Sequence, residues 1–154
     1  GIMMVGDIVQ NFILKDEKGN DFELYKNLDK KVLLVFYPKD DTLVCSSQLS
    51  DYDKNIDEFI NNDIRVVGIS TDSVNSHSSF CNKLKLSFPL LADTNKTVSK
   101  QFDAINLFGM RTRLLVLIGA DKKVLWSDST LTVTYINTKE ILEKAKLLSI
   151  KEMT

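Results

Sequence analysis

Two cysteines, one histidine and three arginines are the side chains of this 154-residue chain with the most chemistry to offer. Cys45 follows the polar turn Lys39-Asp40-Asp41-Thr42 and stands in the first turn of a predicted helix. Backbone N–H groups there lack carbonyl partners, and the helix dipole favours negative charge. A thiol so placed carries more thiolate at neutral pH and becomes a nucleophile. The competing reading is a small buried hydrophobe, the commoner fate of a cysteine. Cys81 lies on an apolar helical face with Val74, His77 and Leu84, where an inert buried thiol is ordinary. His77 would be the base of a Cys–His hydrolase pair, but it shares the Cys81 face one turn earlier and has no evident relation to Cys45. Arg65, Arg111 and Arg113 stand against seventeen lysines. A guanidinium is a rigid fork of donors suited to oxyanions, which makes each arginine a site candidate. One histidine and two cysteines are too few for a zinc centre, and no metal or cofactor is expected.

These side chains need a scaffold to hold them. Phe12 to Leu14 and Phe22 to Leu24 flank a polar, Gly-containing turn and predict a hairpin. The continuous apolar run Val32 to Tyr37 reads as a strand buried on both faces, ended by Pro38, which has no N–H for a ladder. Leu49, Tyr52, Ile56, Phe59 and Ile60 share one helical face, predicting a helix from about Leu43 to Asn61 with Asp41 or Thr42 as its cap. Ile64 to Thr71 is a second strand, and Ser73 caps a helix through Leu84. Phe88 to Leu91 is short and apolar, and Thr94 or Asn95 starts a short helix through Phe102. Arg113 opens the strand Leu114 to Ile118, and Asp121-Lys122-Lys123 turns into Val124 to Ser127. Ile141, Leu142, Ala145 and Leu148 mark a closing helix. A hairpin, a βαβα core and a terminal ββα unit predict one α/β domain over residues 1–154, thioredoxin-like, with helices on both faces of a sheet. Trp126 and the other aromatics read as core, and the Lys and Asp runs as solvated faces.

Pro38, Thr42 and Cys45 stand in the spacing Pro-x-x-x-Thr-x-x-Cys, and the segment Phe36 to Cys45 resembles the active-site loop of peroxiredoxins. The wording Tyr-Pro-Lys-Asp-Asp-Thr is similar to the Q-type branch, also called bacterioferritin comigratory proteins. The resemblance continues through Val5-Gly6-Asp7, Gly68-Ile69-Ser70-Thr71-Asp72-Ser73, Ser76-His77 and Phe88-Pro89-Leu90-Leu91-Ala92-Asp93, and covers residues 5 to 148. It implies a thioredoxin-like fold with an N-terminal hairpin extension and thiol-dependent reduction of hydrogen peroxide and organic hydroperoxides. In that chemistry the Cys45 thiolate attacks the terminal peroxide oxygen and becomes sulfenic acid. Thr42, Arg113 and the Cys45 backbone N–H are the implied donors to the leaving oxygen, and Pro38 shields the thiolate. Arg113 is preferred to Arg111 because it directly precedes the strand. The scheme requires the Cys45 sulfur to be ionised and open to a bound oxidant. The resemblance further implies Cys81 as resolving cysteine, forming an intramolecular disulfide with Cys45 that thioredoxin reduces. Disulfide geometry needs Cα atoms within ~4.4–6.8 Å, so both helices are expected to unwind in part.

The chain also departs from the pattern. Leu43-Val44 stands where the family usually has Pro-Gly, Ser46 where it has Thr, and Ser50 where many Q-type members carry a second cysteine. Three alternatives stay open: a one-cysteine peroxidase recycled by an external thiol, a non-enzymatic redox sensor, and a disulfide reductase. The last lacks its Cys-x-x-Cys, and Thr112 stands where such reductases keep a cis-proline. The formal net charge of −1 argues against nucleic-acid binding by bulk charge. No apolar run approaches the ~20 residues of a membrane span. With no leader pattern visible, a cytoplasmic location is expected, and Q-type relatives imply a monomer.

Overall fold

The computed structural model describes residues 3–110 and 112–152. The hairpin forms from β1 (Ile13–Lys15) and β2 (Asp21–Glu23). Its turn is closed by the Asp16 carboxylate, which accepts from the backbone of Lys18 and Asn20, and Gly19 supplies a left-handed φ of 79°. The central strands β3 (Lys31–Phe36) and β4 (Ile64–Ser70) run parallel, in register from Lys31↔Ile64 to Phe36↔Ile69. Helices α1 (Leu43–Lys54) and α2 (Ile56–Asn61) connect them, and α3 (Val74–Leu84) leads to β5 (Leu90–Ala92), parallel to β4. After α4 (Thr97–Gln101) and a small ladder of β6 (Ile105–Asn106) and β7 (Gly109–Met110), β8 (Arg113–Ile118) and β9 (Val124–Thr130) add antiparallel strands, and α5 (Thr138–Glu152) closes the chain. The seven-stranded sheet has the order β2-β1-β5-β4-β3-β8-β9.

Side-chain alternation splits the interior in two. Leu33, Val35, Val66, Leu115 and Leu117 face a layer built from α1, α2, α3 and α5, where Leu49, Tyr52, Phe59, Phe80 and Ile141 pack. Val32, Leu34, Phe36, Val67, Ile69 and Val116 face the opposite layer, with Val98 and Phe102 around α4 and Phe12 and Phe22 from the hairpin. Both faces of β3 are therefore apolar, which is why its sequence reads as an unbroken run. Gly68 lies where the Tyr37 ring crosses β4: a Cβ there would meet Leu90 Cδ2 at 2.6 Å and Tyr37 Cε1 at 3.3 Å.

Three expectations are corrected. The helix read from Leu43 to Asn61 is two helices: at Asn55 the backbone leaves helical geometry, with φ −108° and ψ 21°, while both its backbone N–H and its side-chain amide donate to the Asp51 carbonyl. The helix after β5 starts at Thr97, not Thr94 or Asn95. Lys96 adopts φ 64°, and the Asp93 carboxylate takes the N–H groups of Val98 and Ser99. The β6–β7 ladder carries no apolar alternation and was not anticipated. Its turn residues Leu107 and Phe108 are almost wholly exposed. Trp126 is only half-buried, on β9 at the sheet edge.

Candidate active site

The site forms where β3 ends. Antiparallel pairing sets Phe36 opposite Leu114, so Arg113, the first residue of β8, lies beside the point where the chain leaves β3 for α1. Cys45 is the third residue of α1, at a position whose N–H has no helical carbonyl to meet it. Residues 68 apart in sequence thus meet: Arg113 Nη1 donates to the Cys45 sulfur at 3.1 Å. The same nitrogen donates to Gln48 Oε1 at 2.9 Å, and Nε donates to the Thr132 carbonyl at 3.0 Å. Gln48 Oε1 and the Thr132 carbonyl are neutral acceptors. Burying the guanidinium is tolerable because Nη1 and Nε are engaged.

Gln48 is a site residue that the sequence reading missed. It is wholly buried, one turn beyond Cys45, and its Nε2 donates to the Tyr52 oxygen at 3.1 Å. Tyr52 in turn donates to the Ile136 carbonyl at 2.6 Å, tying the base of the site to the segment before α5. Burial pushes the Tyr52 hydroxyl up strongly, so it stays a donor. The available signal was a polar residue between Cys45 and the core residues Leu49 and Tyr52 on one helical face. Asp40 was also missed. Read as part of a solvated turn, it is 5% exposed, and it accepts from Tyr37 at 2.6 Å, Ser76 at 2.8 Å and His77 Nδ1 at 2.7 Å.

The remaining predicted residues are placed as follows. Thr42 occupies the N-cap position of α1, and its carbonyl accepts from Ser46 N–H at 2.9 Å. Its hydroxyl does not cap the helix. It donates to the Lys39 carbonyl at 3.1 Å, with its oxygen lone pairs left to accept. Pro38 is half-buried at the bend that ends β3, with a trans peptide bond. Leu43 is largely exposed and Val44 half-buried in the first turn of α1, where Pro-Gly was missed from the pattern. Arg111 lies outside the described residues. Cys81 is a free thiol in the core layer that also holds Cys45, and it is 8% exposed. Burial, reinforced by the charges of Glu17, Asp40, Asp16 and Asp53, pushes its thiol up to about 12. His77 is buried, and its ring nitrogens are engaged by Asp40 and the Leu91 carbonyl rather than by Cys45.

The sequence reading also requires an open sulfur, and here the structure differs. Cys45 has no exposed surface. The larger surface depressions lie elsewhere, one along Asp51, Glu58 and Glu143 and another along Ile60, Arg65 and Pro89. The sulfur lies in the core layer, hydrogen-bonded by Arg113.

A cysteine held at a helix N-terminus against a buried arginine, on a thioredoxin-like sheet, defines a thiol-based redox protein. The AhpC/TSA family description matches residues 5–127. The chain is 36% identical over 142 residues to chloroplastic peroxiredoxin Q of Sedum lineare, covering 89% of this chain and 73% of that protein. Among solved structures it is similar to peroxidoxin BcpB of Mycobacterium tuberculosis, with a TM-score of 0.84, 29% identity and coverage of 96% and 97% of the two chains. It is similar also to a cysteine-to-serine mutant of Xylella fastidiosa PrxQ, with a TM-score of 0.85, 26% identity and coverage of 98% and 99%. The chain belongs to the AhpC/TSA family and is a peroxidase of the peroxiredoxin Q and bcp kind.

Proposed function

We propose that Cys45 is the peroxidatic cysteine and Cys81 the resolving cysteine of a hydroperoxide-reducing cycle completed by thioredoxin or a similar dithiol protein. The observation that carries the reading is the hydrogen bond from Arg113 to the Cys45 sulfur inside a buried site. The Cys45 thiolate attacks the terminal oxygen of the hydroperoxide; the S–O bond forms as the O–O bond breaks. Sulfur is oxidised to sulfenic acid, and the alkoxide or hydroxide leaves with the electron pair and takes a proton from water. Arg113 is already beside the sulfur and meets the developing negative charge without reorganising. Thr42, whose hydroxyl proton is committed to Lys39, orients the peroxide O–H as an acceptor. Pro38 limits water at the thiolate.

In the second step the Cys81 thiolate attacks the Cys45 sulfenic sulfur; the S–S bond forms and hydroxide leaves. Both sulfurs belong to one core layer of one chain, so the cycle needs no second subunit, in keeping with a monomer. The attacking group must be a thiolate, and burial keeps Cys81 protonated. Leaving the core is therefore required both to reach Cys45 and to ionise. A dithiol reductant works in a reducing compartment, and the cytoplasm is the one proposed. Among the described residues no helix is long and apolar enough to cross a membrane.

The test is hydroperoxide consumption coupled to a thioredoxin system, with mass spectrometry of the oxidised protein. Wild type consumes peroxide and gains a Cys45–Cys81 disulfide; Cys45→Ser does neither. Cys81→Ser accumulates sulfenic acid at Cys45. A wild-type protein that turns over with a persistent thiol at Cys81 would instead be a one-cysteine enzyme.

A further inference from the structure

Buried polar side chains outside the Cys45 site converge on Asp40, in the loop between β3 and α1. Its carboxylate accepts from Tyr37, Ser76 and His77, and its backbone N–H donates to Asp72 Oδ2 at 2.8 Å. Ser76 and His77 belong to α3, and Asp72 lies just before it. The other ring nitrogen of His77 faces the Leu91 carbonyl of β5 at 2.9 Å. A carbonyl can only accept, so that nitrogen carries a proton. Burial pushes the Asp40 carboxyl up, but the hydrogen bonds from His77 and Tyr37 outweigh it and hold the group below its ordinary value. Asp40, Asp72 and His77 group their ligand atoms as a cation site would, yet those atoms are engaged with one another and with Tyr37, Ser70 and Ser76. The cluster is a clasp rather than a metal centre. Asp41 adds an exposed ion pair to Lys83 of α3, a contact of small weight.

The clasp joins the two segments that the proposed cycle must separate. One end is the loop leading into the Cys45 helix. The other is the first turn of α3, and Cys81 lies one turn beyond His77 on the same buried face. We infer that Asp40 and His77 are a positioning pair: while they are joined, Cys81 stays sequestered, and their separation sets the rate at which α3 opens for the resolving step. This rests on the two-cysteine reading for its role in turnover, but not for its effect on α3. A buried, charge-assisted hydrogen bond is the strongest local tie available to such a helix, and helices open locally according to the ties they lose.

The experiment compares wild type with His77→Asn, the milder Ser76→Ala, and Val116→Ala. Val116→Ala weakens the opposite core layer without touching α3. The first readout is alkylation of Cys81 in the reduced proteins, followed by peptide mass spectrometry. We expect a rise of about tenfold in His77→Asn and a smaller rise in Ser76→Ala, at unchanged rate in Val116→Ala. Equal rates in wild type and His77→Asn, or an equal rise in Val116→Ala, overturn the clasp. Alkylation needs no sulfenic acid, so it decides the clasp even if the Cys45–Cys81 disulfide never forms. The second readout is single-turnover kinetics with hydrogen peroxide. The peroxide-independent, disulfide-forming step accelerates by about the same factor in His77→Asn, while the peroxide-dependent step does not. A purely structural lesion slows both steps together, and that result, or faster alkylation without faster resolution, overturns control of the resolving step.

Discussion

At Cys45 the proposed chemistry rests on a few groups with separable contributions. Arg113 touches the sulfur directly, whereas Gln48 acts through Arg113 by accepting from the same nitrogen. Removing a preorganised donor from a site of developing charge costs ~10²–10³ in rate. Arg113→Ala is therefore expected to lower the second-order rate of peroxide reaction by about that factor. Gln48→Ala leaves the guanidinium present but less well aimed, and is expected to cost about tenfold. Stopped-flow measurement of thiol oxidation ranks the two; a Gln48 effect as large as that of Arg113 would show that the amide itself meets the substrate. Thr42 illustrates why residue types underdetermine roles. Its position at the head of α1 was readable, but the direction of its hydroxyl depends on a carbonyl three residues back.

At the level of elements, α3 carries the burden of the proposed cycle, since it holds both His77 and Cys81. Its start and end are secured differently. Ser73 caps the first turn by accepting from Ser76 N–H at 3.1 Å, the arrangement anticipated from the sequence. Its last turn ends in Lys85 with φ 55°, a left-handed conformation that favours glycine. Lys85→Gly is expected to raise stability by about 1 kcal/mol, read as a higher urea midpoint at unchanged slope. The helix break at Asn55 belongs to the same scale. Spacing of apolar residues continues through it, and only the non-helical backbone of Asn55 reveals the interruption.

Across the whole molecule, burial of ionisable groups ties stability to pH. The Cys81 thiol is pushed up from its ordinary 9 to about 12 in the folded state. Between those values the unfolded chain loses this proton and the folded one keeps it, so stability falls as pH rises from 9 to 12. Tyr37 and Tyr52, also raised, steepen the same limb. Chemical denaturation of the reduced protein is expected to fall less steeply across this window in Cys81→Ala than in wild type; parallel curves would place Cys81 in water. Asp40 acts at the other end. Its depressed folded value stabilises the protein above the ordinary carboxylate range, and that contribution is lost as pH falls through the folded value. Asp40→Asn should therefore flatten the acid limb.

Much was legible in the chain itself, because it depends on local pattern. Apolar runs of β3, β4 and β8, the faces of α1 and α3, and the Cys45 motif are short-range features, and periodicity or spacing records them directly. What the tertiary structure alone decided are the encounters across the sheet. Arg113 reaches Cys45 because β8 runs antiparallel beside β3, and Asp40 leaves solvent because α3 brings His77 over the loop. Burial of the Cys45 sulfur belongs to the same class. Each brings together residues far apart in the chain, and no local pattern encodes whether a polar side chain will find a buried partner or face water.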